Sequence, residues 1–428
     1  MEPPGRNQGE NGRWGRMKSA WRQTSFQNKK KRERSGNGGQ KSRFDQRGNE
    51  NMRLVIDCFK LVKGQGKSIG IYNLAKNLTR NLAQTNQNGE HCEEIVVLGN
   101  KYNRKDFEVP GVRFVQVKGN ATNRIVYTLW ELFGVPRAVK REGGDRVLFP
   151  RGYRPLFYWG KDVIIVHDLI PFFYDQNFPG TLNRVENAYI MSRLRASIRY
   201  ADRIVTISHY SQQEMEKICP GCESRTTVIY NGVNPVPCSD VPSLLKPDGP
   251  YLYAGVSTLP HKNALGVLKT YEAYFQAEIR EGKNPARLVI IGIESPQSIP
   301  GGEVLSPQAA EYVTCCRYIE SGEEMHSLLA GASAFLFLSL IEGFGFPPLE
   351  AMQLGVPVIC SNRSSLPEVI GDAGLLTDPD DIEGTVSCIR RLLGDEKLQK
   401  ELIAKGYENV KRFDWDSRVE QYWEVLTR

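Results

Sequence analysis

From Met52 onward the chain alternates short apolar runs with stretches whose apolar residues recur every three or four positions. RLVIDCF, EIVVLG, VRFVQV, RVLFP, VIIVHD, RIVTIS and TVIYNG are β-rich runs of the kind that form buried parallel strands. After the first of them, IYNLAKNLTRNLAQ sets Ile71, Leu74, Ala75, Leu78 and Leu82 on one helical face. Strands alternating with helices predict a doubly wound α/β sheet. The pattern breaks where Pro235, Pro237, Pro242, Pro247 and Pro250 crowd together, a linker signal. A second series follows, with strands YLYAG, RLVIIG, YVTCCRYI, AFLFLS and PVICS, and helices ALGVLKTYEAYFQAEI, EEMHSLLAGA and PLEAMQLG. The expectation is two Rossmann-like domains, 52–235 and 251–410, joined by a linker at 236–250 and closed by a last helix at 411–428.

A length of 428 residues agrees with two cores. With 40% hydrophobic and 25% charged residues the composition is globular, and no apolar run reaches membrane-spanning length. The nine cysteines are scattered, which suits a reducing cytosol better than a disulfide framework. The net charge of +7 comes from residues 1–51, where thirteen Lys or Arg face five Asp or Glu, with KKKRER at Lys29 to Arg34. A tail so rich in Gly, Asn, Gln and Ser cannot bury a core. It reads as an inert tail, or as sequence ahead of a natural start at Met52. The other reading is a contact with nucleic acid or an anionic membrane.

Just past the first strand, KGQGKSIG at 63–70 looks like a phosphate loop. A Walker A loop would need glycine at 61, where the chain has Leu61. The dinucleotide fingerprint fails too: Gly64, Gly66 and Gly70 are misspaced, and no acid ends EIVVLGN to hold a ribose. What is left is a glycine-rich strand-to-helix loop, structural or turned toward a phosphate or sugar.

SLIEGFGFPPLEAMQLGVPVICSNRSSLPEVIGDAGLL, Ser339 to Leu376, decides more. A buried strand leads to Glu342, then to Gly343, Phe344, Gly345 and Phe346, and Pro347 and Pro348 open a helix that carries Glu350. Amides at such a helix tip, with its positive dipole end, suit a diphosphate. Two carboxylates with seven residues between them can take hydrogen bonds from sugar hydroxyls. Glu350 could also be an ordinary first-turn acid. The stretch resembles the hallmark of glycosyltransferase family 4, the retaining GT-B enzymes, whose pattern is Glu, seven residues, Glu around a GFG-PPLEAM core. SIGIYNLAKNL, VHDLIPFFY, ADRIVTISHYSQQEM, VIYNGVN, YLYAGVSTLPHKN and FDWDSRVEQYWEVL resemble other family segments in order, so the likeness runs over most of 52–428.

That resemblance implies a GT-B fold, two Rossmann-like domains facing across a cleft. It implies that Glu342 contacts the transferred sugar, Glu350 the ribose, and the amides of Gly343 to Phe346 the sugar and phosphate. His167 would reach the donor sugar, with Asp168 orienting its loop; a buried structural histidine is the alternative. Lys262 would neutralise the diphosphate, or be a plain surface lysine. Gly70 would face the cleft, and Asn263 belongs to the same substrate-binding set. Where the family usually has Arg-Lys-Asn, this chain has His261-Lys262-Asn263. Histidine is mostly neutral at pH 7, so the second cation comes from elsewhere, or donor affinity falls as pH rises through about 6 to 7.

The implied reaction is metal-independent, cofactor-free transfer of a hexose from a nucleotide-diphosphate sugar to a glycan or lipid-linked acceptor, by front-side attack. HDLIP is most similar to mannosyltransferase-like members, which favours GDP-mannose and leaves UDP-sugars open. A GT-B protein that binds nucleotide sugar without transfer, such as an epimerase, is the alternative. Specific nucleic-acid binding is not expected. The expected location is cytoplasmic, with peripheral contact to the inner membrane face. The helix bearing Arg184, Arg193, Arg195 and Arg199 is either an ordinary amphipathic helix or part of that contact. CPGC at Cys219 to Cys222 reads as a turn.

Overall fold

The computed structural model describes residues 52–63, 69–237 and 241–428. The basic tail and most of the glycine-rich loop, 64–68, lie outside the described residues. Strands β1 (Arg53–Asp57), β2 (Glu94–Gly99), β3 (Val112–Gln116), β4 (Arg146–Phe149), β5 (Lys161–Val166), β6 (Arg203–Thr206) and β7 (Thr226–Val228) make one sheet, in the order β3-β2-β1-β4-β5-β6-β7. Strands β8 (Tyr251–Gly255), β9 (Arg287–Ile291), β10 (Val313–Cys316), β11 (Ala334–Phe337), β12 (Val358–Ser361) and β13 (Leu375–Thr377) make a second, ordered β10-β9-β8-β11-β12-β13. Every neighbouring pair is parallel. Both sheets are therefore doubly wound. Each has a topological switch point where ligands bind outside the strand ends, at β1/β4 and at β8/β11.

The buried runs are as apolar as two-sided burial demands: Val147, Leu148 and Phe149 of β4 and all of β11 are sequestered. One face of each sheet has its own core. A third core runs on from the first sheet to the second, through Ile229, Phe344, Phe413 and Trp415. The last helix, Trp415–Thr427, is capped by Asp414, whose carboxylate accepts from Ser417 N. Its Val419, Tyr422, Trp423, Val425 and Leu426 are buried. Trp423 Nε1 donates to Thr85 Oγ1 at 2.8 Å, at the end of the helix Ile69–Thr85. Burying each of these large side chains is worth about 1.5–3 kcal/mol, enough to hold the chain end of the second half against the first.

Every described cysteine is free. Cys219 and Cys222 flank a turn at Gly221 (φ +85°) between a helix and β7, and burial pushes the Cys222 thiol up to about 12. No helix among the described residues is long and apolar enough to cross a membrane.

Candidate active site

Beyond β11 the chain reaches Glu342 and crosses Gly343 to Gly345, whose φ of +121° suits glycine alone, before the helix Phe346–Gln353 begins. Pro347 and Pro348 have no N–H, so donors near this tip come from the backbone of Gly343 to Phe346. Two serines lace the loop in place. Glu342 N donates to Ser364 Oγ at 3.0 Å, and Ser365 Oγ donates to the carbonyls of Glu342 and Phe344 at 3.0 and 2.9 Å. The Phe344 ring is buried among Phe346, Phe413 and Tyr230, so it anchors the loop, of which Glu342, Gly343 and Phe346 stay half-buried. Glu350 lies in the second helical turn and not the first, which removes its reading as a dipole-favoured first-turn acid. Its carboxylate has no hydrogen-bond or ion-pair partner among the described residues, and burial raises its pKa. A carboxylate held so is ready to take a hydroxyl.

The residues after β8 divide their work. Lys262 Nζ meets Glu342 Oε1 at 2.6 Å. Asn263, in the left-handed region at φ +52°, caps the helix Ala264–Arg280 by accepting from Gly266 N, and its Nδ2 donates to Leu338 O at 3.0 Å. Both ends of that amide make bonds that serve the fold. His261 is buried, and its Nδ1 lies 2.7 Å from the hydroxyl of Tyr174 in the other half.

In the first half β5 runs into His167 and Asp168. His167 Nε2 sits 2.6 Å from Pro150 O, which can only accept, so Nε2 carries the proton and Nδ1 is an acceptor with no partner among the described residues. Burial holds this imidazole down at about 4, hence neutral at pH 7. Asp168 accepts from Ile170 N at 3.1 Å, closing the turn into the helix Ile170–Asn177. Burial raises its carboxyl, the charge of Glu342 adds to this, and Lys262 opposes it. The two halves touch at Gly343, where a Cβ would overlap the His167 carbonyl oxygen and press on the Asp168 side chain. His167, Asp168, Gly343, Glu342 and Lys262 therefore converge, with the Phe346 helix tip and Glu350 behind them. Gly70 stands apart, in the first turn of the helix Ile69–Thr85, with open space around it.

Three side chains absent from the sequence reading also join the halves or line the cleft. Glu368, on the helix Leu366–Ile370, accepts from His209 N and Tyr210 N at 3.0 Å each and from Tyr230 Oη at 2.9 Å. It thus caps the helix His209–Ile218 of the other half. Tyr174 pairs with His261. Arg151 joins Asp57, Lys60, Glu131, Phe149 and Tyr153 around a small recess at the β1/β4 switch point, and has no hydrogen bond or ion pair among the described residues. Glu368 lies within the Ser339 to Leu376 stretch that carries the resemblance, with no role drawn for it there. Nothing in the spacing of Tyr174 or Arg151 announces their partners. Among the described residues no group of three or more His, Cys, Asp or Glu is placed to hold a metal ion.

Two parallel doubly wound sheets with the glycine-loop site between them define a GT-B glycosyltransferase. Solved structures of that architecture cover most of the chain. WaaG, a glycosyltransferase involved in lipopolysaccharide biosynthesis, superposes with a TM-score of 0.61 at 16% identity, covering 88% of this chain and 100% of its own. Anabaena Alr3699/HepE in complex with UDP gives 0.59 at 16%, covering 88% and 99%. Residues 70–236 match the profile described as Glycosyltransferase Family 4, and residues 240–409 that described as Glycosyl transferases group 1. O-antigen chain mannosyltransferase B of Escherichia coli is 30% identical over 287 residues, 63% of this chain and 74% of that protein. O-antigen chain mannosyltransferase RfbU of Salmonella typhimurium is 25% identical over 299 residues, 69% and 78% respectively. The chain belongs to the family 4 glycosyltransferases, and it is a transferase.

Proposed function

We propose that this enzyme moves a hexose, mannose first among candidates, from a nucleotide-diphosphate sugar to a glycan or lipid-linked acceptor with retention of configuration and without metal or cofactor. The observation that carries the reading is the 2.6 Å Lys262–Glu342 pair on a loop pressed against His167 by Gly343. A diphosphate at the Phe346 helix tip would draw the Lys262 ammonium, leaving Glu342 to accept from sugar hydroxyls and Glu350 from the ribose. His167 Nδ1, an acceptor at neutral pH, suits a further hydroxyl of the donor sugar. The acceptor oxygen bonds to the anomeric carbon on the face from which the carbon–diphosphate bond breaks, and its proton passes to the departing phosphate oxygen. Catalysis then rests on stabilising charge on that diphosphate with Lys262 and the backbone amides. Mannose as the sugar is supported by the named activities of the curated relatives.

A lipid-linked acceptor would bring the protein to an anionic membrane. The helix Arg184–Tyr200 contributes less to that contact than its arginines suggest. Arg193 is buried with Nη2 donating to Arg154 O at 2.7 Å, while Arg195 and Arg199 lie over Phe172 and Tyr200.

Thermal unfolding in the presence of GDP-, UDP- and dTDP-sugars, followed by transfer assays with and without excess chelator, tests the reading. The right donor at 100-fold over Kd should add about 2.7 kcal/mol of stability, and chelator should leave transfer unchanged. No shift with any nucleotide sugar, or metal-reversible loss of transfer, would overturn it.

A further inference from the structure

We propose that His261 is a positioning residue. It pins the second half to the first through Tyr174, and leaves Lys262 as the side-chain cation for the diphosphate. This rests on the donor site proposed above. His261 and Tyr174 are 5% and 2% exposed, from opposite halves, with Nδ1 and the phenol oxygen 2.7 Å apart and the rings edge to face at 5.6 Å. Tyr174 packs against Phe173 and Phe178, so its hydroxyl needs a partner that aromatic rings do not supply. The pin has short connections at both ends. Tyr174 belongs to the helix that begins just after His167 and Asp168. The His261 carbonyl accepts from Leu340 N at 2.8 Å, two residues before Glu342, and the next residue along is Lys262 itself. Closing the Tyr174–His261 bond therefore sets the Lys262–Glu342 pair relative to His167.

The pin gives the histidine that stands in place of the family's usual arginine a part in the fold. A phenol and a neutral imidazole can each donate or accept, whereas a guanidinium can only donate. Histidine here and tyrosine at 174 form one device in this chain.

Four variants of the full chain test it: Tyr174→Phe, His261→Ala, His261→Asn and the Tyr174→Phe/His261→Ala double. Each is followed by kcat and KM for the active donor, by calorimetric binding of GDP and UDP, and by amide exchange over 170–177 and 259–263. Tyr174→Phe and His261→Ala should each lower kcat about tenfold and leave nucleotide affinity within about twofold, the loss of one buried hydrogen bond between the halves. The double variant should be no worse than either single one. His261→Asn, whose amide can accept or donate near the place of Nδ1, should recover most of the rate. Amides in both segments should exchange faster in the first two variants and regain protection in His261→Asn. Weaker nucleotide binding in both His261 variants with Tyr174→Phe silent would overturn the pin and make His261 a phosphate ligand. Unchanged rates and exchange in all four would overturn it as well. If no donor supports transfer, the donor reading fails, and the exchange data still decide the pin.

Discussion

At the switch point of the first sheet Lys60 and Glu131 pair at 2.5 Å, and at that of the second Lys262 and Glu342 pair at 2.6 Å. The side chains are 17% and 11% exposed in one pair and 27% and 12% in the other. Their surroundings differ more than these figures. Lys60 lies under the Tyr127 ring at 4.0 Å, and burial lowers its pKa. Beside it Asp57 accepts from Trp130 Nε1 and Phe59 N, and its carboxyl is still pushed up to about 6 by burial. Lys262 and Glu342 instead sit beside a glycine loop, with Glu350, which has no hydrogen-bond or ion-pair partner among the described residues, behind. Lys262 also lies over a ring, Phe337 at 5.8 Å, so burial is what sets the Lys60 pair apart: a pair so desolvated serves the fold and is costly to break. A pair beside the half-buried Gly343 and the Phe346 helix tip can exchange partners with a charged ligand at little cost.

The comparison breaks most visibly at Lys262. Lys262→Ala should lower kcat by about 10²–10³-fold, the range for losing one stabiliser of developing charge, with a nearly unchanged melting temperature. Transfer at the parental rate would place both pairs in the structural class. Gly343→Ala comes next. Its methyl would push the loop off the His167 carbonyl, and a displacement near 1 Å costs about 10²-fold in rate; kinetics beside a melting curve separate this from unfolding.

Glu131→Ala sharpens the other side. It leaves the Lys60 charge enclosed and should cost about 2–3 kcal/mol in denaturant unfolding, while its effect on transfer is smaller than that of Lys262→Ala. The smallest effect is a pH signature. Asp57 has a folded pKa of about 6 against 3.8 unfolded, so its charge opposes folding at pH 7, and the penalty fades as pH falls from 6 toward 4. His167, about 4 folded against 6.5 unfolded, acts in the opposite sense, with stability lost as pH falls from 6.5 to 4. Asp57→Asn should therefore raise stability at pH 7 by about 1–3 kcal/mol, and that gain should vanish near pH 4. A gain that persists at pH 4 would mean that Asp57 is not the group titrating.

The strands, the helices between them and the second-half loop were legible because local pattern determines them. EIVVLG and YLYAG match β2 and β8 residue for residue, and ALGVLKTYEAYFQAEI falls one residue short of its helix. The three-residue β13 was too short to register as a run of its own, and the helices Arg124–Leu129 and Val135–Glu142, joined by a π-helical turn at Trp130–Gly134, escaped periodicity. The π turn shifts the phase of the apolar positions, so no single face persists. At the site, the glycines, prolines and carboxylates of 342–350 announced themselves through spacing. What remained hidden was who meets whom across the halves. Tyr174 and His261 are 87 residues apart, Glu368 and Tyr210 158, and no local pattern carries a contact of that range. Asn263 shows another limit, since nothing in its motif position announced that its amide ties a helix to a strand.

The most direct measurement is single-turnover transfer from the donor that stabilises the protein, comparing the parent with Glu342→Gln, which keeps the shape of the side chain and removes its charge. A fall of about 100-fold or more at saturating donor, with the melting temperature preserved, is what a carboxylate gripping the transferred sugar requires. Equal rates in the two proteins would contradict the account at its centre.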